Sequence, residues 1–358
     1  MSDVVIIGGG LTGLLAAREL MLAGADVAVV ERGELAKESS WAGGGILSPL
    51  YPWRYPDAVT ALACWSQTQY KLLTDELYEC TGIDPEFVRS GLLILGSDDD
   101  EEAATWATAR GKSLCPLKEG EAQKLEAMLA SSPRGVMLPE VGQVRNPRLL
   151  RSLLAYLEQK GVVFHSQRPV QDIRVEDGVV RGVDTNKGYL DADTVVLASG
   201  AWSGGIAEKL GISLKIEPVK GQMLLFKAVP GLLKHIILCD GYYVIPRQDG
   251  HILVGSTMER AGFDKEPTPE AYQELYGMAL KIVPKLADYP VANHWAGLRP
   301  GSENGVPYIC AHPEVAGLYL SAGHFRNGVV MGPASARLLG DIILNRSPVV
   351  DPSPYRLV

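Results

Sequence analysis

No stretch of the chain approaches the ~18–20 consecutive apolar residues that span a bilayer, so an integral membrane helix is not expected. No C-x-x-C pair occurs either. The five cysteines, Cys64, Cys80, Cys115, Cys239 and Cys310, are odd in number and widely spaced, which argues against a disulfide framework or a thiolate metal centre. A reducing, cytoplasmic setting is the expectation, and the first strand begins so early that no signal peptide is expected. Basic charge is also short: 34 Lys and Arg stand against 42 Asp and Glu, a net charge of −8, so nucleic acid is not expected as a partner. Low-complexity linkers and internal repeats are absent. The single dense charge run, Asp98-Asp99-Asp100-Glu101-Glu102, follows Ser97 and reads as the first turn of a capped, solvated helix rather than a metal site.

What remains is a chain of 358 residues, 46% hydrophobic and 21% charged, able to bury one large core and one smaller one. Its first residues carry the strongest signal. Asp3 to Ile7 reads as a buried parallel strand, Gly8-Gly9-Gly10-Leu11-Thr12-Gly13 supplies G-x-G-x-x-G, a helix follows from Leu14 to Ala23, and a second strand from Ala25 to Val30 ends on Glu31. Gly8 permits the tight turn, Gly10 lets the backbone approach a pyrophosphate, and Gly13 lets the helix pack on the strand. The helix N-terminus attracts the phosphates, and Glu31 stands where a carboxylate accepts ribose hydroxyls. A 2′-phosphate would be repelled there, which leaves NAD or FAD.

FAD is favoured by a later element. Thr194-Val195-Val196-Leu197-Ala198-Ser199-Gly200 is a strand ending in a small-residue turn, preceded by a three-stranded meander over Val170–Val175, Val179–Asp184 and Tyr189–Leu190. This pairing resembles the FAD-binding fold of the glutathione-reductase type. The fold class expected is therefore α/β with mixed α+β character, a Rossmann-like FAD domain carrying an inserted mixed-sheet domain. The order of elements assigns 1–85, 141–218 and 303–358 to the FAD-binding domain and 86–140 and 219–302 to the substrate domain. The later insertion carries strands at Met223–Phe226, His235–Leu238, Tyr242–Pro246 and His251–Val254, and a helix from Pro269 to Ile282. The earlier one carries a strand at Gly91–Leu95 and two short helices.

Gly221-Gln222-Met223, Tyr242 to Arg247, Val254 to Met258, Trp295-Ala296-Gly297-Leu298-Arg299-Pro300 and Ala322 to Gly328 together resemble the D-amino acid oxidase (DAO) superfamily, and within it the glycine oxidase group. The resemblance runs over essentially the whole chain. It implies FAD-dependent oxidation of a small amino acid by hydride transfer to flavin N5, with O2 as the second substrate and glyoxylate, ammonia and H2O2 as products from glycine. It also implies that the imine, dehydroglycine, supplies thiazole formation in thiamine biosynthesis, and that the protein is a homo-dimer or homo-tetramer. A D-amino acid or sarcosine oxidase, a quinone-linked dehydrogenase and the flavin subunit of a larger assembly are the alternatives.

A substrate carboxylate calls for a planar guanidinium, and Arg299, expected at a strand end, is the candidate, with the Tyr243 hydroxyl sharing the load. Arg326 is expected near the amine and Met258 in the substrate wall. No dedicated protein base is needed if the amine binds neutral. Cofactor contacts are expected from Gly8, Gly10, Leu11, Thr12 and Gly13; from Glu31 and Arg32; and from Ser39, Ser40, Gly44, Gly45 and Ile46. Val170, Ser199, Gly200 and Trp202 would follow, then Gly297 and Arg299, and finally His324, Phe325, Arg326, Asn327 and Gly328. His324 reads as a turn residue against the flavin rather than a base, and a helix starting near Asn327 would aim its positive end at the flavin. FAD is expected to bind noncovalently, Cys310 being a core thiol. Gly241 and the glycine-rich segment Trp41–Ile46 are expected to enlarge or loosen the amine side of the site.

Overall fold

The computed structural model describes residues 2–357. Its first layer grows from Val4–Ile7, four apolar residues that are all buried. Alternation sends Val4 and Ile6 into one core and Val5 and Ile7 into another, so this strand must be covered on both faces. It occupies an interior position in a six-stranded sheet ordered Tyr308–Ala311, Leu318–Ala322, Thr194–Leu197, Val4–Ile7, Val27–Val30 and Val163–His165. All neighbours are parallel except the first pair. Leu11–Leu22 and the C-terminal helix Gly328–Ile343 cover one face together with the helix Asp57–Thr81, and the meander Val170–Glu176, Val179–Thr185 and Gly188–Asp191 packs on the other. Each fully buried Val, Leu or Ile here contributes roughly 1.5–3 kcal/mol.

The second layer is an eight-stranded mixed sheet. It runs Val291–Ser302, Ile216–Lys227, His251–Gly255, Tyr242–Pro246, Ile236–Cys239, Leu92–Leu95, Gly135–Leu138 and Cys115–Leu117. Leu92–Leu95 pairs in parallel with Ile236–Cys239, which joins strands from the two predicted insertions in one sheet. Period-two alternation again separates two faces. Leu224, Phe226, Val244 and Val254 lie under the helix Pro269–Ile282, while Met223, Tyr243, Ile245 and Leu253 belong to a separate cluster on the other side. That helix starts where Thr268 caps it, its hydroxyl oxygen accepting from Ala271 N at 3.3 Å behind a proline at the first turn.

Several local expectations are corrected by tertiary partners. The first helix begins at Leu11 rather than Leu14, directly on the glycine turn. Arg299 lies inside a twelve-residue strand that continues to Ser302, not at its end, because Ile216–Lys227 pairs along the whole of it. The acidic run does open the helix Asp100–Arg110, but Ser97 does not cap it. The Ser97 hydroxyl donates to Asp99, whose carboxylate also accepts from Trp53 Nε1 and Arg54 Nε, each at 2.5 Å. Gly241, with φ +81° and nothing near its missing Cβ, follows Asp240 at φ +51° in a tight hairpin turn and does not line the active-site cavity.

Candidate active site

A cavity of about 360 Å3 opens where the carboxyl ends of the parallel strands meet the second sheet. Its cofactor side is built from the glycine turn. Gly8 stands at φ +120°, and a Cβ there would lie 2.4 Å from the Ala198 carbonyl oxygen, so this position admits only glycine. Gly9 N and Gly33 N donate to the two oxygens of Glu31, at 2.9 and 3.0 Å, which fixes that carboxylate at the strand end. At the helix N-terminus Leu11 N donates to Ser40 Oγ at 2.9 Å. Arg32 stacks its guanidinium 3.4 Å from the Trp202 ring centroid and pairs with Glu38 at 3.1 Å.

The substrate side is built from the second sheet. Arg299 donates from Nη2 to Ser256 Oγ at 2.6 Å and from Nη1 to the Thr257 carbonyl at 3.1 Å. Among the described residues it is ion-paired with no Asp or Glu. Burial pulls its pKa below the ordinary arginine value, while the nearby Tyr243 hydroxyl opposes that shift and the Arg326 cation adds to it. Space for the guanidinium comes from Gly221 on the neighbouring strand, where a Cβ would sit 2.0 Å from Nη1. Tyr243 is buried, its hydroxyl 3.2 Å from Met223 Sδ. His324 is buried with Nε2 unpartnered, and burial pushes its pKa down to about 4, so the ring is neutral at physiological pH.

Nearly all the residues singled out in the sequence meet in this one cavity. Gly8, Gly10, Leu11, Thr12, Glu31, Arg32, Ser39, Ser40, Gly44, Gly45 and Ile46 line it, as do Val170, Ser199, Gly200 and Trp202. Tyr243, Arg299, His324, Phe325, Arg326, Asn327 and Gly328 complete the opposite wall. Three do not reach it. Gly13 and Gly297 are packing glycines: a Cβ would lie 2.0 Å from the Gly8 carbonyl oxygen in one case and 2.6 Å from Ala42 Cβ in the other. Met258 is 57% exposed and outside the walls, since the chain leaves the sheet after Gly255. Gly43 to Gly45 do not loosen the site as expected. A Cβ would be 2.9 Å from Asn146 Nδ2 at Gly43, 2.9 Å from Ile245 Cδ1 at Gly44 and 2.0 Å from the Val144 carbonyl oxygen at Gly45, so small residues are required by close packing. Ser256, which orients Arg299, was not singled out, although it lies within the quoted Val254–Met258 segment.

This arrangement, a dinucleotide cradle facing an arginine and a tyrosine, agrees with a family model described as FAD dependent oxidoreductase (DAO), which matches residues 3–342. The chain belongs to the DAO family. It is 51% identical to the glycine oxidase of Pseudomonas aeruginosa, over 98% of this chain and 97% of the relative, and 47% identical to that of Pseudomonas putida, over 99% and 97%. The crystal structure of glycine oxidase from Geobacillus kaustophilus superposes with a TM-score of 0.93 at 31% identity, covering 100% of this chain and 98% of that one.

FAD is the cofactor of this DAO family member, and the cavity's own chemistry fits it. The glycine turn brings bare backbone to the cavity wall at Gly8, Gly9 and Gly10, Glu31 is held where ribose hydroxyls need an acceptor, and Asn327 Nδ2 and Ser321 Oγ are buried in the wall without partners. The C-terminal helix begins at Gly328, so its unpaired amides and positive end face the same cavity. Cys310 is buried in the core and is not part of the wall. Among the described residues no helix is long and apolar enough to cross a membrane, and no cluster of His, Cys, Asp and Glu has the makings of a metal site.

Proposed function

We propose that the chain is an FAD-dependent glycine oxidase, converting glycine, O2 and water to glyoxylate, ammonia and H2O2. The observation that carries this reading is Arg299: a guanidinium held in the cavity wall with hydroxyl and carbonyl partners but, among the described residues, no carboxylate, next to Tyr243 and Arg326. Such a site gains most from an anionic ligand of carboxylate shape. The glycine oxidases at 51% and 47% identity support glycine as that ligand.

In this reading Arg299 grips the carboxylate bidentately and Tyr243 donates its hydroxyl to the same group, which fixes the orientation of the substrate Cα. His324, neutral at physiological pH, adds no positive charge that would repel a protonated amine. The amine loses its proton to solvent on binding, and the chain excludes water from Cα through Leu50, Ile46 and the Gly43–Gly45 segment. FAD, when bound, supplies the two-electron oxidation, and O2 takes the electrons onward to peroxide. The imine released is the species expected to feed thiazole formation or to hydrolyse. We assign 1–85, 141–218 and 303–358 to cofactor binding and 86–140 and 219–302 to the substrate side; a cytoplasmic homo-oligomer belongs to the same reading.

The test is anaerobic mixing of the yellow protein with glycine, sarcosine and D-alanine while flavin absorbance is followed, then admission of air with a peroxide assay. Fastest bleaching by glycine followed by stoichiometric peroxide is expected. Preference for sarcosine or D-alanine moves the substrate within the family, and bleaching without peroxide makes the protein a dehydrogenase.

A further inference from the structure

The strand that carries Tyr243 makes a second connection to the cavity wall. Tyr243, Ile245 and Arg247 are spaced two apart and all reach the Gly43–Gly45 segment. A Cβ on Gly44 would lie 2.9 Å from Ile245 Cδ1 and 3.2 Å from Tyr243 Cε2, so the segment rests directly on those side chains. Arg247, only 9% exposed, donates from Nη2 to the Gly44 carbonyl at 2.7 Å. Its Nη1 donates to the Val144 carbonyl at 3.0 Å and to Gln143 Oε1 at 2.7 Å. Val144 N in turn donates to the Gly45 carbonyl at 2.9 Å, and Gln143 Nε2 donates to Ser90 Oγ at 3.1 Å. One guanidinium therefore ties together the cavity segment, the 143–144 segment behind it and the end of the substrate strand.

We propose that Arg247 is a positioning residue, acting through Gly44 and Tyr243, that sets the distance between the cofactor wall and the substrate-binding strand. The planar fork matters more than the charge. A guanidinium fork can meet three acceptors spread over two separate segments at once, whereas a lysine ammonium presents its donors from a single point at the end of a flexible stem. One of its three acceptors, the Gly44 carbonyl, belongs to the cavity wall, and the other two stand behind it on Gln143 and Val144. Burial pushes its pKa down to about 10, so the group remains charged at neutral pH. The inference rests on the glycine oxidase reading only for the choice of assay substrate.

The test compares wild type with Arg247→Lys and Arg247→Met. Hydrogen exchange of the Val144 and Leu47 amides, which donate to the Gly45 and Gly142 carbonyls and so pin the cavity segment, the visible spectrum of bound flavin, and kcat and KM for glycine per bound flavin are the readouts. Arg247→Met is expected to speed exchange at Val144 and Leu47 at least tenfold while leaving the Val4–Ile7 strand unchanged. It should also shift the flavin spectrum and lower kcat per flavin at least tenfold with a smaller change in KM; Arg247→Lys should recover part of each. Exchange at Val144 and Leu47 and kcat within twofold of wild type in both variants would overturn the proposal. Should Arg247→Met fail to fold, Gln143→Ala, which keeps the charge and removes one acceptor, takes its place: about threefold faster exchange at Val144 and Leu47 supports the proposal, and unchanged exchange in it and in Arg247→Lys overturns it. Wild-type protein that does not oxidise glycine would sink the function proposed above and leave the exchange result standing.

Discussion

At the scale of single residues the site is governed by Arg299, a buried cation that meets no carboxylate among the described residues and has a second cation, Arg326, near it. Arg299 donates to Ser256 Oγ and the Thr257 carbonyl, both neutral, so the energetic return for a bound carboxylate is large. Replacing the planar fork by a point charge, Arg299→Lys, should leave FAD absorbance intact and raise KM for glycine about ten- to a hundredfold, the loss of one or two charge-assisted hydrogen bonds. Steady-state kinetics at constant flavin content check this, and an unaltered KM removes Arg299 from substrate binding. Gly221→Ala probes the same cation from the neighbouring strand. Its Cβ would stand 2.0 Å from Nη1 of a flexible side chain. The fold should tolerate it by letting the guanidinium swing away, so melting changes little while KM rises at least fivefold, roughly 1 kcal/mol of lost binding. A variant that loses stability but keeps its KM would show that the space left by Gly221 serves packing alone.

Elements decide how much of this could be read in advance. The glycine turn, the three-stranded meander and the helix Pro269–Ile282 are set by residues close in sequence, and so were legible from spacing and turn chemistry. Met258 was misplaced because its neighbours Ser256 and Thr257 do hold Arg299, yet the chain turns outward one residue later, which no local pattern records. The strand through Arg299 pairs with Val219, and the helix Asp57–Thr81 packs on a C-terminal helix through Ser66, whose hydroxyl accepts from Ala334 N at 2.9 Å. Their lengths and roles come from partners far along the chain. Gly13 is the element-scale prediction. A Cβ there would meet the Gly8 carbonyl oxygen at 2.0 Å, backbone against backbone, so Gly13→Ala must push the first helix off the turn. FAD titration of the variant should give at least tenfold weaker binding, and wild-type affinity would show that the turn does not depend on this approach.

For the whole molecule, acid stability follows from where its histidines lie. Four of the six, His165, His294, His312 and His324, have pKa values lowered mainly by burial. The folded chain then binds fewer protons than the unfolded chain below about pH 6.5, the ordinary histidine value, so stability is complete above that pH and falls as the medium acidifies. The carboxylates act later. Asp249, where hydrogen bonds from Arg145 and His251 outweigh burial and hold the pKa to about 2, and Asp99, lowered chiefly by Arg54, lose their contributions only in stronger acid. Glu19, raised by burial, takes up its proton earlier in the folded chain than in the unfolded one and so offsets part of the histidine loss above about pH 4.5. Between pH 7.5 and 5 the histidines therefore dominate, and His324, down to about 4, is the largest single contributor whose value is resolved. Keeping it neutral is worth on the order of 2 kcal/mol over that interval at about 1.4 kcal/mol per pH unit. Denaturant unfolding at saturating FAD should show wild type losing about that much more stability from pH 7.5 to 5 than His324→Asn, with FAD in excess so that cofactor loss does not enter the comparison. Parallel pH dependences in the two proteins would mean that His324 is protonated within the folded protein at pH 5, placing a cation in the cavity wall.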